Sequence, residues 1–573
     1  MSERVVRRSN NCPGGDLDAA RGCFGSLAGN LLATCPVKIE RSGQRSFVSV
    51  AFSSLKSRSR RVPGCVKELP VKFVAVDQAA RQVFDACIIG SGASGGVTAH
   101  TLAQQGLSVL LVEQGDIIPP GGKIDDHLDP DSWAYAWRHG RWWDTGYPWS
   151  AQGFGGGTIF YAGVSFRYHP RDFTPSDEFM GSAAYEHWGL TRQELDPHYD
   201  WIEAQLAVAG PSGETVGEYR FPRYTRERLP YTSPGRVLAE AAESLGGKPV
   251  ATPVAISGVA DRFTSGCRQL TPCTDNHCPI GAKADVASRL LYDCGDELSV
   301  LLRSRAVKLV ASRPGVVGSV EVLSDDERSS TTIRARRFFL AANAIQSAAL
   351  LLRSSSRLEP HGMANSSGLV GRHLAMKVSG YLRSHVPSQH GYRPLQHRYS
   401  SMTLLDSMYG PEFPGGMGGL IYEANPWDGV EDNGFMPLQL ECSVGDRPRA
   451  RNRIGLSKER DRWGLPRVVM NYVADKHDLA RLRVLRQRAT ALLRSLGGKV
   501  RQVSTKYELG SAHLHGTLRA GKDPRTSVTD RMGRLHDYDN VWAVDGAVFP
   551  FAGNLNPTLT IQANARRIAS AIA

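Results

Sequence analysis

The clearest hydrophobic pattern in the first quarter of the chain predicts two strands joined by a helix. The apolar run from Phe84 to Ile89 predicts a buried strand, and the stretch from Ala93 to Gln105 predicts a helix that ends at Gly106. A second apolar run, from Ser108 to Val112, predicts another buried strand. Strand, helix and strand of these lengths are typical of one β-α-β unit with parallel strands.

The turn before the predicted helix carries three glycines. Gly90, Gly92 and Gly95 have the spacing G-x-G-x-x-G, which permits a tight turn, close approach to a pyrophosphate and close packing of helix on strand. Glu113 follows the second strand, 21 residues after Gly92, at the position where a carboxylate can bind a ribose hydroxyl. The unit therefore predicts a dinucleotide site, which could hold either a nicotinamide or a flavin.

A different pattern begins at about residue 376 and continues to about residue 505. The segments LQLECSV at 438–444 and RVVMNYV at 467–473 alternate between apolar and polar positions. Such alternation predicts a mostly antiparallel sheet with one exposed face.

Near the end of this region, leucines recur at helical spacing between Asp475 and Gly497. Asp475 and Gly497 are the residue types that start and end helices, so the pattern predicts an amphipathic helix. We expect Leu479 to lie on its buried side and Arg481, with the other arginines, to lie on a solvated face.

Length and charge narrow the classes of function. The chain has 573 residues, enough for two or more domains, and a formal net charge of +13. Residues 1–80 contain 13 Lys and Arg against 6 Asp and Glu, so about half of the net charge lies in this segment. The segment is rich in Arg, Ser and Gly and lacks sustained apolar periodicity, so we expect a largely disordered N-terminal extension. The remainder is close to charge balance, and we expect no nucleic-acid partner.

The cysteines and the lengths of the apolar runs indicate the cellular compartment in which the protein folds. The ten cysteines are scattered, which indicates a reducing environment without a disulfide framework. No apolar run is long enough for a membrane span, and we expect a cytoplasmic protein. Residues Cys267, Cys273, His277 and Cys278 have irregular spacing and no second C-x-x-C, so we predict no metal site.

Several stretches together resemble the glucose–methanol–choline (GMC) flavin oxidoreductases. They occur in the order found in that family and extend the resemblance over about residues 82–570. After the first β-α-β unit they are GFGGGTIFYAG at 153–163, CPIGAKADVASRLL at 278–291, FFLAANAIQSAALLLRSS at 338–355, SAHLHGT at 511–517 and NVWAVDGAVFPFAGNLNPTLTIQANARRIA at 540–569.

The resemblance implies a fold. We expect an α/β protein with a discontinuous Rossmann-like FAD-binding domain and a second, substrate domain built on a mostly antiparallel sheet. The FAD-binding domain would comprise residues 82–190, 260–375 and 506–573. Residues 191–259 would form a connecting or lid region, and residues 376–505 the substrate domain.

The resemblance also implies a cofactor and its binding residues. FAD would bind without a covalent link, because no His or Cys occupies the positions used for attachment, although His169 lies nearby. The helix after Pro557 would direct its N-terminus at the flavin, where its dipole stabilises negative charge. The expected cofactor-binding residues are Gly90, Gly92, Gly95, Glu113, Gly156, Gly157, Thr158, Asp545, Gly546, Pro557 and Thr558.

By position in the family motifs, His513 and Asn556 match the catalytic pair. The resemblance implies that His513 removes the hydroxyl proton of an alcohol while hydride passes from the carbinol carbon to flavin N5, giving a carbonyl. Asn556 would hydrogen-bond the same oxygen. No motif specifies whether oxygen or another compound accepts the electrons.

The motifs look most like the branch that contains aminoglycoside oxidases of the paromamine 6'-oxidase type. This likeness implies a small-molecule substrate, a primary alcohol of an aminosugar. Glu423 and Glu441 lie within apolar runs, where a carboxylate needs a partner, so each could bind a substrate ammonium or form an internal salt bridge with an arginine. The alternatives are a GMC enzyme for a neutral sugar or steroid alcohol, a nicotinamide-dependent dehydrogenase, and a catalytically silent flavin-binding subunit.

Overall fold

The fold comes from a computed structural model of the chain. The structure describes residues 71–128, 134–138, 141–146, 150–181, 187–324, 330–388, 398–426, 434–503 and 513–572. Most of the predicted N-terminal extension, residues 1–70, lies outside the described residues.

An eight-stranded sheet contains the predicted β-α-β unit. Its strands in spatial order are Lys72–Phe73, Leu298–Leu301, Val109–Val112, Val83–Ile89, Thr331–Leu340, Val316–Ser324 and Ser304–Arg313, and Val541–Ala543 also pairs with Thr331–Leu340. All pairs are parallel except the two made by Val316–Ser324. Every side chain of Val109–Val112 is buried, as expected for a parallel strand covered on both faces.

Helices cover this sheet and pack on one another. The longest of them are Ala93–Gln104, Arg192–Gln205, Asn343–Arg353 and Thr558–Ser570, and Thr558–Ser570 packs against Ala93–Gln104 and Arg192–Gln205. The strands and the helix of the β-α-β unit agree with the predicted bounds to within one residue, and the helix predicted after Pro557 is confirmed.

A six-stranded antiparallel sheet forms the second part of the molecule. Its strands in spatial order are Pro249–Ala251, Met402–Leu404, Leu420–Glu423, Phe435–Gly445, Lys377–Pro387 and Arg501–Val503. The predicted antiparallel sheet is therefore confirmed. The prediction of an exposed face is wrong for its central strand: Phe435–Gly445 is buried at every residue but the first, because the helix Lys476–Ser495 covers one face and a cavity lies against the other.

Two details differ from the predicted substrate region. RVVMNYV forms the strand Pro466–Asn471, which pairs only with Arg453–Arg460 in a separate hairpin among the described residues. The strand Pro249–Ala251, within the predicted connecting region, forms an edge of the six-stranded sheet. The predicted domain boundaries themselves stay a prediction.

The predicted amphipathic helix is present as Lys476–Ser495. Its N-cap Asp475 accepts a hydrogen bond from the amide of His477. The expectation that all its arginines are solvated is wrong for Arg481, which is completely buried because Asp478 and the carbonyls of Gly418 and Gly445 accept its N–H groups. Leu479, expected to be buried, is instead 44% exposed.

The remaining helices are short or lie at the edge of the six-stranded sheet. They include Ser233–Ser244, Val76–Ala80, Pro170–Phe173, Asp177–Met180 and Val286–Arg289. Three further two-stranded sheets pair Ala134–Arg138 with Arg141–Gly146, Ala209–Gly210 with Arg226–Glu227, and Thr215–Val216 with Tyr219–Arg220. Within the described part of the chain, no helix has the length and apolar character needed to cross a membrane.

Candidate active site

A cavity of about 520 Å³ lies between the two sheets. It is bounded below by the carboxyl ends of parallel strands, where open α/β sheets bind ligands, and above by the six-stranded sheet. The structure brings to it every predicted site residue except Gly95. These lining residues are Gly90, Gly92, Glu113, Gly156, Gly157, Thr158, Glu423, Glu441, His513, Asp545, Gly546, Asn556, Pro557 and Thr558.

Gly95 has a packing role beneath the cavity. A Cβ atom at Gly95 would lie 1.9 Å from the carbonyl oxygen of Gly90, and one at Gly90 would lie 2.5 Å from the carbonyl oxygen of Ala341. Gly90 also has φ of +101°, which residues with a side chain rarely adopt. These glycines therefore let the helix Ala93–Gln104 begin directly at the strand end, with its N-terminal amides at the cavity.

The two glycine-rich loops touch each other. A Cβ atom at Gly156 would lie 2.7 Å from the Cα atom of Gly92, whereas a Cβ atom at Gly157 would meet nothing within 4 Å. Gly157 is exposed and lines the cavity. Backbone therefore forms one wall of the site, and a side chain at Gly157 would project into it.

Glu113 ties these loops together. Its carboxylate accepts hydrogen bonds from the amide and hydroxyl of Ser91, at 3.1 and 2.6 Å, and from the amide of Gly115 at 2.9 Å. Burial raises the pKa of Glu113, and the hydrogen bonds from Ser91 and Gly115 oppose that rise. The hydroxyl of Ser91 also accepts from the amide of Gly155, so Ser91 links both loops to the predicted ribose-binding carboxylate.

Another part of the cavity wall, apart from the glycine loops, is built around Asp545. Its carboxylate accepts from the hydroxyl of Ser347 at 2.5 Å and from the amide of Ala547 at 2.9 Å, and burial raises its pKa to about 6. Pro557 and Thr558 follow at the cavity surface and begin the helix Thr558–Ser570. The positive end of this helix therefore lies at the site, where it favours a bound negative charge.

His513 lines the cavity at the start of a segment that pairs with Ala375, two residues before the strand Lys377–Pro387. His515 exchanges backbone hydrogen bonds with Ala375, at 2.8 and 3.0 Å, which fixes the position of this segment. The His513 ring is partly buried. Burial, then the nearby Lys377 and His515, lowers the pKa of His513 well below its ordinary value, so the ring is neutral and can accept a proton at neutral pH.

Asn556 lies on the same cavity and connects to the six-stranded sheet. Its side-chain amide lies near the hydroxyl of Tyr422 and opposes the rise that burial causes in the pKa of that hydroxyl, and its Oδ1 atom has no hydrogen-bond partner among the described residues. Asn556 is 8% exposed. A buried amide oxygen without a protein partner is typical of a site that a ligand completes.

Glu441 accepts hydrogen bonds on the cavity face of the six-stranded sheet. Tyr381 and Tyr422 lie opposite it on the two neighbouring strands, and both hydroxyls bond its carboxylate, as does that of Ser379 at 2.8 Å. Burial raises the pKa of Glu441, while these hydroxyls and Lys377 lower it. A salt bridge between Glu441 and an arginine was one alternative from the sequence; the charged neighbour of Glu441 is instead Lys377.

Glu423 has a different environment. Its carboxylate accepts from the hydroxyl of Thr232 at 2.5 Å, from the hydroxyl of Ser401 at 2.5 Å and from the amide of Ser401 at 2.8 Å. Thr232 is the N-cap of the helix Ser233–Ser244. Glu423, at the end of the strand Leu420–Glu423, therefore joins that helix to the residue that precedes the strand Met402–Leu404.

Sequence reasoning missed several residues that complete the site. Ser91 lies inside the glycine motif and could have been found from its neighbours, but Tyr381, Tyr422 and Lys377 are strand residues far along the chain. Lys377, Ser379 and Tyr381 are polar residues at every second position of a buried strand. Alternate residues of a strand point to the same face of the sheet, so this pattern indicates a face that lines a cavity.

No group of three or more His, Cys, Asp or Glu side chains in the described ranges could hold a metal ion. The three cysteines considered for zinc are free thiols here, and burial raises the pKa of Cys273 to about 12.

The site fits FAD on its own geometry. Two bare glycine loops offer a flat wall without side chains, and the N-termini of the helices Ala93–Gln104 and Thr558–Ser570 both meet the cavity, where they favour bound negative charge. Glu113 stands at the end of the second strand, next to that wall. Backbone amides, a carboxylate at the end of the second strand and helix dipoles together form a set of groups suited to an FAD molecule.

Family models match most of the chain. Two models described as GMC oxidoreductase match residues 144–379 and 448–565, and a model described as NAD(P)-binding Rossmann-like domain matches residues 88–152. The last match covers the first β-α-β unit. The two GMC matches cover the segments that carry His513 and Asn556, and residues 380–447, which contain most of the six-stranded sheet, lie between them.

Two curated relatives resemble the chain over most of its length. The 6'''-hydroxyparomomycin C oxidase of Streptomyces lividus is 42% identical over 506 residues, which is 86% of this chain and 92% of the relative. The paromamine 6'-oxidase of Streptomyces fradiae is 40% identical over 503 residues, again 86% and 92%.

Solved structures share the fold at low sequence identity. Pyridoxine 4-oxidase from Mesorbium loti has a TM-score of 0.58 at 19% identity, covering 85% of this chain and 99% of that one. A formate oxidase of Aspergillus oryzae, studied for its FAD modification, has a TM-score of 0.60 at 15% identity, covering 85% and 97%. The chain therefore belongs to the GMC oxidoreductase family, as an FAD-dependent enzyme that oxidises an alcohol to a carbonyl.

Proposed function

We propose that the enzyme oxidises a primary alcohol of an aminosugar or aminoglycoside intermediate, with His513 as the base and Asn556 as the residue that holds the reacting oxygen. The names of the two relatives that are 42% and 40% identical support this class of substrate. The observation that carries the proposal is structural: His513 and Asn556 line one cavity with the glycine loops on one side and Glu441 on the other.

The catalytic roles follow from the surroundings of each side chain. Bound FAD supplies the hydride acceptor. His513, neutral because burial and Lys377 lower its pKa, takes the proton from the substrate hydroxyl. Asn556, which lies beside Tyr422, hydrogen-bonds the same oxygen through its side-chain amide, which keeps the reacting C–H bond in one orientation.

The charge balance of the cavity roof supports a cationic substrate. Lys377 interacts with two buried carboxylates, Asp172 and Glu441. When all three groups are ionised, their sum is one negative charge in a region of low dielectric. A substrate ammonium would neutralise that charge, which makes Glu441 our proposed ammonium partner.

The net charge of +13 would repel a cation at long range. However, salt at about 0.15 M screens fields beyond about 8 Å. The local arrangement of charges around Glu441 therefore decides binding, rather than the charge of the whole chain.

The Glu441→Gln variant tests the substrate class. We expect its kcat/KM for an aminosugar to fall by about 10-fold or more relative to its kcat/KM for the corresponding sugar without the amino group, because a charged hydrogen bond is lost. Taking the ratio removes any effect that both substrates share. Steady-state kinetics with the two sugars provide the measurement.

Glu423→Gln is the matched control. Its carboxylate is held by Thr232 and Ser401, so we expect a lower melting temperature and an unchanged ratio between the two substrates. An unchanged ratio in the Glu441→Gln variant, or a preference of the native enzyme for neutral sugars or steroid alcohols, would contradict the cationic-substrate proposal.

We expect FAD to be bound without a covalent link. Among the described residues that line the cavity, His513 is the sole histidine and there is no cysteine. His169 is buried, does not line the cavity, and accepts a hydrogen bond from the amide of Arg171. Acid precipitation should therefore leave the yellow colour in the supernatant, and colour retained in the washed pellet would show a covalent bond.

A further inference from the structure

A backbone pairing brings a buried lysine next to His513. Ala375 and His515 form an antiparallel bridge. In an antiparallel pair, moving two residues forward from Ala375 corresponds to moving two residues back from His515. This register places Lys377 opposite His513, with both side chains on the same face. Side chains directly opposite one another in an antiparallel pair have Cβ atoms about 4.5–5.5 Å apart, so the two side chains are neighbours.

Lys377 is tied to the loop that carries Asn556. The lysine is 1% exposed, and its Nζ atom donates a hydrogen bond to the carbonyl oxygen of Asn554 at 2.5 Å. The amide of Asn554 donates to Asp172 at 3.0 Å. Asn554 is therefore held on both sides, two residues before Asn556.

We propose that Lys377 is a positioning residue for the catalytic pair: its ammonium group holds the loop that presents Asn556, and it places a positive charge beside the ring of His513. This inference rests on the proposed roles of His513 and Asn556. Lys377 does not line the cavity, so the proposal gives it no contact with the reacting atoms.

The surrounding charges agree with this role. Burial lowers the pKa of Lys377 to about 7, and Asp172 and Glu441 oppose that fall. Burial is the larger cause of the lowered pKa of His513, and the charge of Lys377 adds to it, so removing that charge should raise the pKa of His513 toward its ordinary value. Among the described residues, the titratable groups that face the pair are His515 on the same segment, Asp172 on the helix Pro170–Phe173, and Glu441, Tyr381 and Tyr422 on the six-stranded sheet.

The test compares Lys377→Met, which removes the charge, with Lys377→Arg, which keeps it. In the native enzyme and in Lys377→Arg, we expect the rate of anaerobic flavin reduction to change little from about pH 8 to about pH 5.5. In Lys377→Met, we expect the rate to begin to fall at a higher pH than in the native enzyme and in Lys377→Arg, because the positive charge that adds to burial in lowering the pKa of His513 is gone. Lys377→Gln is the second uncharged variant if Lys377→Met does not fold.

A second readout does not depend on turnover. Diethyl pyrocarbonate modifies unprotonated imidazole, so the pH dependence of His513 modification in the FAD-bound protein, located by peptide mass spectrometry, reports its protonation. The uncharged variants should lose modification at mildly acidic pH, where the native protein and Lys377→Arg retain it. A merely structural lysine would leave this dependence unchanged.

The outcomes separate the two proposals. If His513→Ala reduces its flavin at the native rate, the proposed function fails and this inference fails with it. If His513→Ala is slow but the uncharged Lys377 variants keep the native pH dependence in both readouts, the inference about Lys377 alone is overturned.

Discussion

Replacing His513 with alanine should slow anaerobic flavin reduction by about 10²- to 10⁴-fold, the usual loss when a general base is removed. The ring lines the cavity, and its lowered pKa keeps it in the form that accepts a proton. FAD should stay bound, because the glycine loops and Glu113 are unchanged. Stopped-flow reduction by an alcohol substrate measures the rate, and the visible spectrum measures FAD content.

His515→Ala is the control from the same segment. Its ring is fully buried, does not line the cavity, and packs against Phe549 with ring centroids 5.4 Å apart. We expect lower stability and a much smaller loss of reduction rate than in His513→Ala. A near-native rate in His513→Ala, with full FAD content, would show that another group accepts the proton.

The Gly157→Leu variant should bind FAD at least about 100-fold more weakly, a loss of about 2.7 kcal/mol. A Cβ atom at Gly157 meets no protein atom within 4 Å and Gly157 lines the cavity, so the added side chain would occupy space needed by the flavin. The fold should survive, because an added Cβ atom at this position meets no protein atom. FAD fluorescence titration of the apoprotein gives the affinity.

Gly455→Leu is a matched control. Gly455 also has no protein atom within 4 Å of an added Cβ, but it lies in the strand Arg453–Arg460, away from the cavity. We expect native FAD affinity in this variant. Equal affinity in both variants would mean that the flavin does not lie against the loop at Gly157.

The cofactor side of the site could be predicted from the sequence because its determinants are local. Gly90, Gly92 and Gly95 act through backbone sterics within one turn, and Glu113 follows at the end of the next strand. Such features depend on few neighbours. The helix after Pro557 was predictable for the same reason.

The roof of the cavity could not be predicted in this way. Glu441 could be identified as a carboxylate in an apolar run, but its partners Tyr381, Ser379 and Lys377 lie on a neighbouring strand about 60 residues earlier, and strand pairing of this kind is not encoded locally. Arg481 shows the same limit, since its burial depends on carbonyl groups from two other strands or turns.

The central claim is that this FAD enzyme oxidises an aminosugar alcohol. The most direct measurement is the visible spectrum of the purified holoenzyme during anaerobic addition of paromamine and, separately, of a matched sugar without amino groups. We predict that paromamine bleaches the flavin absorbance and yields the corresponding aldehyde, while the neutral sugar bleaches it far more slowly. Fast bleaching by the neutral sugar and none by paromamine would contradict the account.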